Sequence, residues 1–176
     1  MKKAGILCAA LAIGLLFSAC GVGDVGGAES ESTSSSQTAS SGAETSSALS
    51  ADSVSDDLSG LQEYLVANAG FTGTPEEMQD QIIGAKDGVR YEFGHDGKNN
   101  VTVELYEYDP DALGDTAQKI LSDVKSSGKF TLMEQELSAE LSDSGKYLMI
   151  YKNTATDDGN KTYDEQVKTL FRGFKS

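Results

Sequence analysis

The side chains able to do chemistry in this chain are few in kind. There is one histidine, His95, and there are two cysteines, Cys8 and Cys20, against 28 Asp and Glu. A Ser-His-Asp nucleophilic site needs an imidazole held by packed neighbours. His95 stands in Gly94-His95-Asp96-Gly97, a turn composition that marks a loop tip, so it reads as a turn residue and not as a catalytic base. Calcium is the metal that plentiful carboxylates suggest. Setting Gly159 at the sixth position of an EF-hand loop puts Asp158 at the fifth and Glu165 at the twelfth. Thr154 and Thr156 then occupy the first and third positions, where carboxylates are required. Asp109, Asp111 and Asp115 lie close together, but Asp109 before Pro110 suits a helix cap. Asp111 and Asp115 suit the first turns of the helix after it, where negative charge meets the positive end of the dipole. No metal site, no cofactor and no catalytic residue is therefore expected. Gly-rich phosphate loops, His-Glu-x-x-His and Gly-x-Ser-x-Gly are all missing from the sequence. A pair of carboxylates needs no local motif, so a small hydrolase built on Asp and Glu is the alternative to a binding role.

Tyrosine is the other candidate. Val101, Val103 and Leu105 alternate as the core face of a strand, which sends Glu104, Tyr106 and Tyr108 to the opposite face. Tyr147 and Tyr151 share a face of a later strand with Met149. If helices cover only one side of the sheet, Tyr106, Tyr108, Tyr147 and Tyr151 make an exposed cluster suited to protein or glycan contact. Burial of Tyr106 and Tyr108 would remove that expectation.

The elements that must position these groups follow from periodicity. Leu58, Leu61, Leu65 and Ala69 recur at helical spacing after Asp56 and Asp57 as caps, with Gly70 as the stop. Thr74-Pro75-Glu76-Glu77 has the form of a capping box with Pro at the first helical position, which predicts a short second helix through Met78, Ile82 and Ile83. Val89, Tyr91 and Phe93 alternate, residues 94–100 turn, and Val101, Val103 and Leu105 alternate back. A helix is predicted from Asp109-Pro110, with Leu113, Ala117, Ile120, Leu121 and Val124 as its stripe and Gly128 as its stop. Phe130 and Leu132, then Leu137, Ala139 and Leu141, make a third and a fourth strand. Asp143-Ser144-Gly145 turns into Tyr147–Tyr151, the most apolar strand and therefore the expected centre of the sheet. Thr162-Tyr163-Asp164-Glu165 reads as a second capping box. The helix it opens buries Tyr163, Val167, Leu170, Phe171 and Phe174. The order αα–ββα–βββα predicts an α+β fold, an antiparallel sheet of about five strands with helices on one face.

The beginning of the chain has a different character. Met1-Lys2-Lys3 is basic, and Ala4 to Phe17 carries no charge, the form of a secretory signal. Ala4–Ala19 falls short of the roughly 18 apolar residues a membrane span requires. Leu16-Phe17-Ser18-Ala19-Cys20 resembles the lipobox of bacterial lipoproteins, although Phe17 stands where that pattern usually has Leu. The resemblance implies cleavage after Ala19, before Cys20, and a diacylglyceryl thioether on Cys20. Two acyl chains suffice for stable anchoring. Residues 1–19 are then a signal peptide. The mature chain has no cysteine but the acylated one, so neither disulfide nor thiol chemistry is expected of it.

Residues 20–57 are rich in Ser, Thr, Gly and Ala, and their charged residues are all acidic. Such a segment has too little apolar surface to offset its ordering entropy and reads as a disordered tether. At ~5–6 Å × √n it spans about 30–35 Å. Residues 58–176 form a single domain. Loss of residues 1–19 removes Lys2 and Lys3 and no acid, taking the formal charge from −14 to −16. That balance excludes a nucleic-acid partner, whose phosphates need a basic surface. Asn100-Val101-Thr102 and Asn160-Lys161-Thr162 match the N-glycosylation acceptor; the lipobox resemblance implies a bacterial source, in which both are chance matches.

Asp87-Gly88-Val89-Arg90-Tyr91, Val103–Asp109, Ser144–Ile150 and Leu170–Lys175 look like parts of small uncharacterised lipoproteins of Gram-positive bacteria, over most of residues 84–176. Those stretches are strand cores and helix stops, and the resemblance brings no catalytic residue with it. The expectation is a lipoprotein at the extracytoplasmic face of the cell membrane, anchored through Cys20. Its domain is expected to be a binding module for an envelope protein or glycan. A small carboxylate hydrolase and a purely structural surface lipoprotein are the alternatives.

Overall fold

A computed structural model of the chain describes residues 48–176. The expected signal peptide, the expected lipidation site Cys20 and the expected tether up to residue 47 lie outside the described residues. In order come a 3-10 turn at Ala51–Ser53, helix α1 (Leu58–Ala69), strand β1 (Glu76–Glu77), a second 3-10 turn (Asp80–Ile83), β2 (Asp87–Phe93) and β3 (Val101–Glu107). Helix α2 (Asp115–Ser127), β4 (Lys129–Leu132), β5 (Gln135–Ser138), β6 (Glu140–Leu141), β7 (Tyr147–Asn153) and α3 (Asp158–Arg172) follow. The fold is α+β. An antiparallel five-stranded sheet runs β1-β2-β3-β7-β6, and β4 pairs with β5 in a separate hairpin. β7 is an inner strand, but β3 holds the middle place expected of β7.

Several elements form where periodicity puts them. Asp57 caps α1 by accepting from the Gly60 N–H at 2.8 Å, and Gly70 ends it in the left-handed region. Gly128 closes α2 in the same conformation, φ 70°, its N–H reaching the Val124 carbonyl. There the absence of a Cβ is needed.

Other boundaries move. The predicted second helix does not form. Glu76 and Glu77 pair instead with Arg90 and Val89 as an edge strand, and only a 3-10 turn is left for Ile82 and Ile83. A single turn of apolar residues is too short to hold a helix without a long packing stripe. Asp109 does not cap α2. It accepts from the Asp111 N–H in a local turn, and the helix starts at Asp115 behind Gly114. Helix α3 begins earlier than the Thr162 capping box: Asp157 caps it through the Asn160 N–H at 3.1 Å. The predicted fourth strand divides at Ala139 into β5, which pairs with β4, and β6, which pairs with β7.

Composition gives the tether everything up to Asp57, yet from Leu49 onward the chain packs on the domain. The Leu49 N–H donates to Asn68 Oδ1 and the Asn68 amide donates back to the Leu49 carbonyl, both at 2.9 Å. Val54 is buried, and its carbonyl accepts from Lys175.

The helices do not share one face, as expected, but lie on both. Val89, Tyr91, Phe93, Val101, Val103, Leu105, Tyr147 and Met149 pack with α1 and α3. Tyr106, Tyr108 and Leu148 pack with Ala117, Ile120 and Val124 of α2, with Ile83, and with Phe130 of the hairpin. The strand alternation is as predicted. An amphipathic stripe states that a helix covers something, and does not state which face.

Candidate functional site

Burial removes the tyrosine cluster. Tyr106 is 4 % exposed, Tyr108 1 % and Tyr147 0 %, and Tyr151 is half-buried. They are also divided between the faces. Leu105 pairs with Met149 and Tyr106 with Leu148, so Tyr147 and Tyr151 join the α1/α3 side while Tyr106 and Tyr108 face α2 and the hairpin. Each hydroxyl has a partner. Tyr108 donates to the Ile83 carbonyl at 3.3 Å, Tyr147 to Asp56 Oδ1 at 2.7 Å and Tyr151 to Asp164 Oδ1 at 2.7 Å. Burial raises the pKa of all four above the ordinary phenol value, because the phenolate loses its water. They are core residues with satisfied polar tips.

The other candidates are structural as well. The His95 ring stacks on Tyr163 at 3.6 Å between centroids, tilted by 10°. Its backbone N–H and carbonyl are held by the two ends of the Asn100 amide, each at 3.0 Å. Asn100 also donates to Asn153 and Asn160, and Asn153 donates to Asn160 and to Asp164. Both acceptor asparagines of the glycosylation pattern, Asn100 and Asn160, are thereby buried in one amide network. Among the described residues no group of three or more His, Cys, Asp or Glu is placed to hold a metal ion. Glu107 is a buried carboxylate, 3 % exposed, and its bonds hold the fold. It accepts from the Leu58 N–H at the start of α1 at 2.8 Å and from Lys86 Nζ at 2.9 Å, with Lys146 Nζ at 3.5 Å. Bonding to Glu107 lifts the Lys86 pKa above its ordinary value.

The surface with the form of a site lies on the second face, where β1 and the Asp80–Ile83 turn stand across from the β4–β5 hairpin. Between them a groove of about 450 Å³ opens over the sheet. That volume falls within the roughly 300–1,000 Å³ of ordinary ligand clefts. Its floor is Arg90, Glu104 and Tyr106. Arg90 and Glu104 are opposite each other across β2 and β3, and Arg90 Nε donates to Glu104 Oε1 at 3.0 Å. The Tyr106 hydroxyl donates to the other oxygen, Oε2, at 2.9 Å. Bonding to Glu104 raises the Arg90 pKa above its ordinary value, so the guanidinium keeps its charge over the groove floor.

Gly88 is what admits the Tyr106 ring to this floor. It pairs with Tyr106 across the ladder, and a Cβ there would lie 2.6 Å from the ring. A glycine inside a strand marks such a close approach. One wall holds Met78, Ile82 and Ile83, the other Leu132 and Leu137. Ile82 is 39 % exposed, and Met133, next in the chain to Leu132, is 76 % exposed. They are two of the three large apolar side chains exposed among the described residues. Glu76 and Glu77 stand at the rim, and a smaller depression shares Glu76 and Arg90 with Thr74, Glu92 and Asn99.

The groove lining contains no Ser, Thr, Cys or His. Its half-buried carboxylate, Glu104, has one oxygen on a guanidinium and the other on a phenol. Such an arrangement suits holding a ligand between apolar walls over a fixed polar floor. Of its residues only Tyr106 is a site residue in the sequence reading, and there as part of an exposed tyrosine cluster rather than as the buried floor of a groove. Two signals were present: Gly88 within an alternating strand, and an apolar Ile82-Ile83 pair too short for a helix. The chain matches no known protein-family model, no curated protein and no solved structure.

Proposed function

We propose that this chain is a lipid-anchored binding module, held by Cys20 at the extracytoplasmic face of a cell membrane and offering the groove over Tyr106 to a partner. The observation that carries the binding role is that groove. Two of the three large apolar side chains exposed among the described residues, Ile82 and Met133, stand at or beside it, a pattern that marks interaction sites. The anchoring half is supported by the Leu16–Cys20 signal and by the acidic segment after it, which separates anchor from domain. The acidic surface keeps the domain off an anionic bilayer. The partner is an envelope protein or glycan.

Two measurements test this. Mass spectrometry of the membrane-extracted protein should find a diacylglyceryl mass on an N-terminal Cys20, and Cys20→Ser should release the protein from membranes. An unmodified Cys20 in membrane-extracted protein would refute the anchor. A photocrosslinking residue placed at Ile82 in living cells should give a saturable adduct. The same residue at Val66, exposed on α1 against the other face, should give none. Equal labelling at both positions would refute the groove as the binding surface.

A further inference from the structure

The groove carries unanswered negative charge around an apolar bed, and this restricts what fits it. Glu104 in the floor is matched by Arg90 at 3.0 Å, so the floor is close to neutral. The rim is not. Glu76 and Glu77 are exposed, Glu92 lies beside Arg90, and none of the three has an ion-pair partner among the described residues. An anionic ligand would meet three carboxylates while the nearest cation is already engaged. A neutral apolar ligand would bury Met78, Ile82 and Leu137 but would leave the rim unpaired and partly desolvated, which is unfavourable. A ligand that alternates cationic and apolar side chains answers both features.

We propose that the groove takes a cationic amphipathic peptide segment. Its apolar side chains would settle between Ile82 and Leu137 over the Tyr106 ring, and its Lys or Arg side chains would reach Glu76, Glu77 and Glu92. The inference rests on the binding role proposed above and names the chemical class of its ligand. The formal charge of −14 adds to it. A domain of that sign draws cationic segments from solution and raises their association rate, an effect that salt weakens.

The test uses the full chain and a fluorescein-labelled Lys-Leu-Lys-Leu-Lys-Leu peptide, followed by anisotropy. Glu-Leu and Lys-Ser peptides of the same length serve as comparisons. Saturable binding of the Lys-Leu peptide alone is expected. Glu76→Gln with Glu77→Gln should weaken it about five- to tenfold. The pair Glu63→Gln and Asp111→Asn makes the same change in net charge away from the groove and should weaken it less than about twofold. Ile82→Ser with Leu137→Ser, which leaves the charge unchanged, should weaken it at least as much as the rim pair. Equal loss from both charge pairs, or equal binding of the Lys-Ser peptide, would reduce the effect to surface attraction and overturn the proposal. Preference for the Glu-Leu peptide would overturn the cationic class and leave the binding role standing. Absence of binding by any peptide would overturn the inference, while crosslinking at position 82 in cells still decides the binding role separately.

Discussion

One face of the sheet is roofed by two long helices, the other by one helix, a two-stranded hairpin and a single 3-10 turn. On the first face, α1 and α3 lay continuous stripes against Val101, Val103, Leu105 and Met149, all at 0 % exposure. Aromatic rings close it further: Phe174 meets both Tyr64 and Tyr147, and Phe71 meets Tyr91 and Phe93. Polar tips pin the helices there. Glu107 holds the start of α1, and the Tyr163 hydroxyl donates to the Ala69 carbonyl at its end at 2.8 Å. On the second face α2 is as long as α1, but the 3-10 turn and the hairpin beside it are short, and the seam between those two is the groove. Long helices leave no seam, because one stripe spans several turns. Short pieces end before they meet, and the surface between them is free for a ligand.

The largest expected effect tests whether the closed face carries the stability. Phe171→Ala, at a fully buried position of α3, should cost about 3–5 kcal/mol in denaturant unfolding. A loss no greater than that from changes at the groove would break the contrast between the faces. Glu107→Gln comes next, at about 1.5–3 kcal/mol, because a charged acceptor is removed from the α1 N–H and from Lys86. Chemical denaturation with hydrogen exchange at α1 would read it, and protection lost uniformly over the domain would argue against a local pin.

The entry to α1 adds a pH dependence. The Gly60 N–H, then the Ser55 hydroxyl, holds the Asp57 pKa below its ordinary 3.8, and the Tyr147 hydroxyl does the same for Asp56. A carboxylate with a lowered folded-state pKa stabilises the fold above the unfolded value, and that contribution is lost as pH falls through the folded one. Asp57→Ala should therefore cost about 1 kcal/mol at neutral pH. Its deficit against wild type should shrink below pH 3.8, as followed by thermal unfolding across an acid series. A deficit constant with pH would assign the effect to helix propensity instead. The smallest effect belongs to the groove. Ile82→Ser with Leu137→Ser should together lower stability by about 1 kcal/mol or less, since both side chains are already partly in water. A much larger loss would make the groove wall part of the core.

Most elements were legible in the chain, the short helix expected after Thr74 and the edge strand β1 in its place excepted, and coverage was not. The strands at Val89–Phe93 and Val101–Leu105 announce themselves by alternation, as α3 does by Tyr163, Val167 and Phe171 at helical spacing. Even the division of β3 into a valine face and a Tyr106–Tyr108 face was correct. The error was to leave the tyrosine face uncovered, since the α2 stripe of Ala117, Ile120 and Val124 fits either side equally well. The capping signals at Thr74, Asp109 and Thr162 are local preferences; sheet pairing overrides the first, a local turn with a later helix start the second, and an earlier cap at Asp157 the third.

The sequence by itself determined the α+β class, the alternating strands, the helix stops at Gly70 and Gly128, and the net acidity. Each is a property of neighbouring residues or of composition. Only the tertiary structure decided which face each helix covers, that Asn100, Asn153 and Asn160 join in one network, and that Arg90, Glu104 and Tyr106 become the floor of a groove walled by Ile82 and Leu137. Those contacts join residues far apart in the chain. No local pattern encodes them, because burial and register are settled only when every element competes for the same two faces of one sheet.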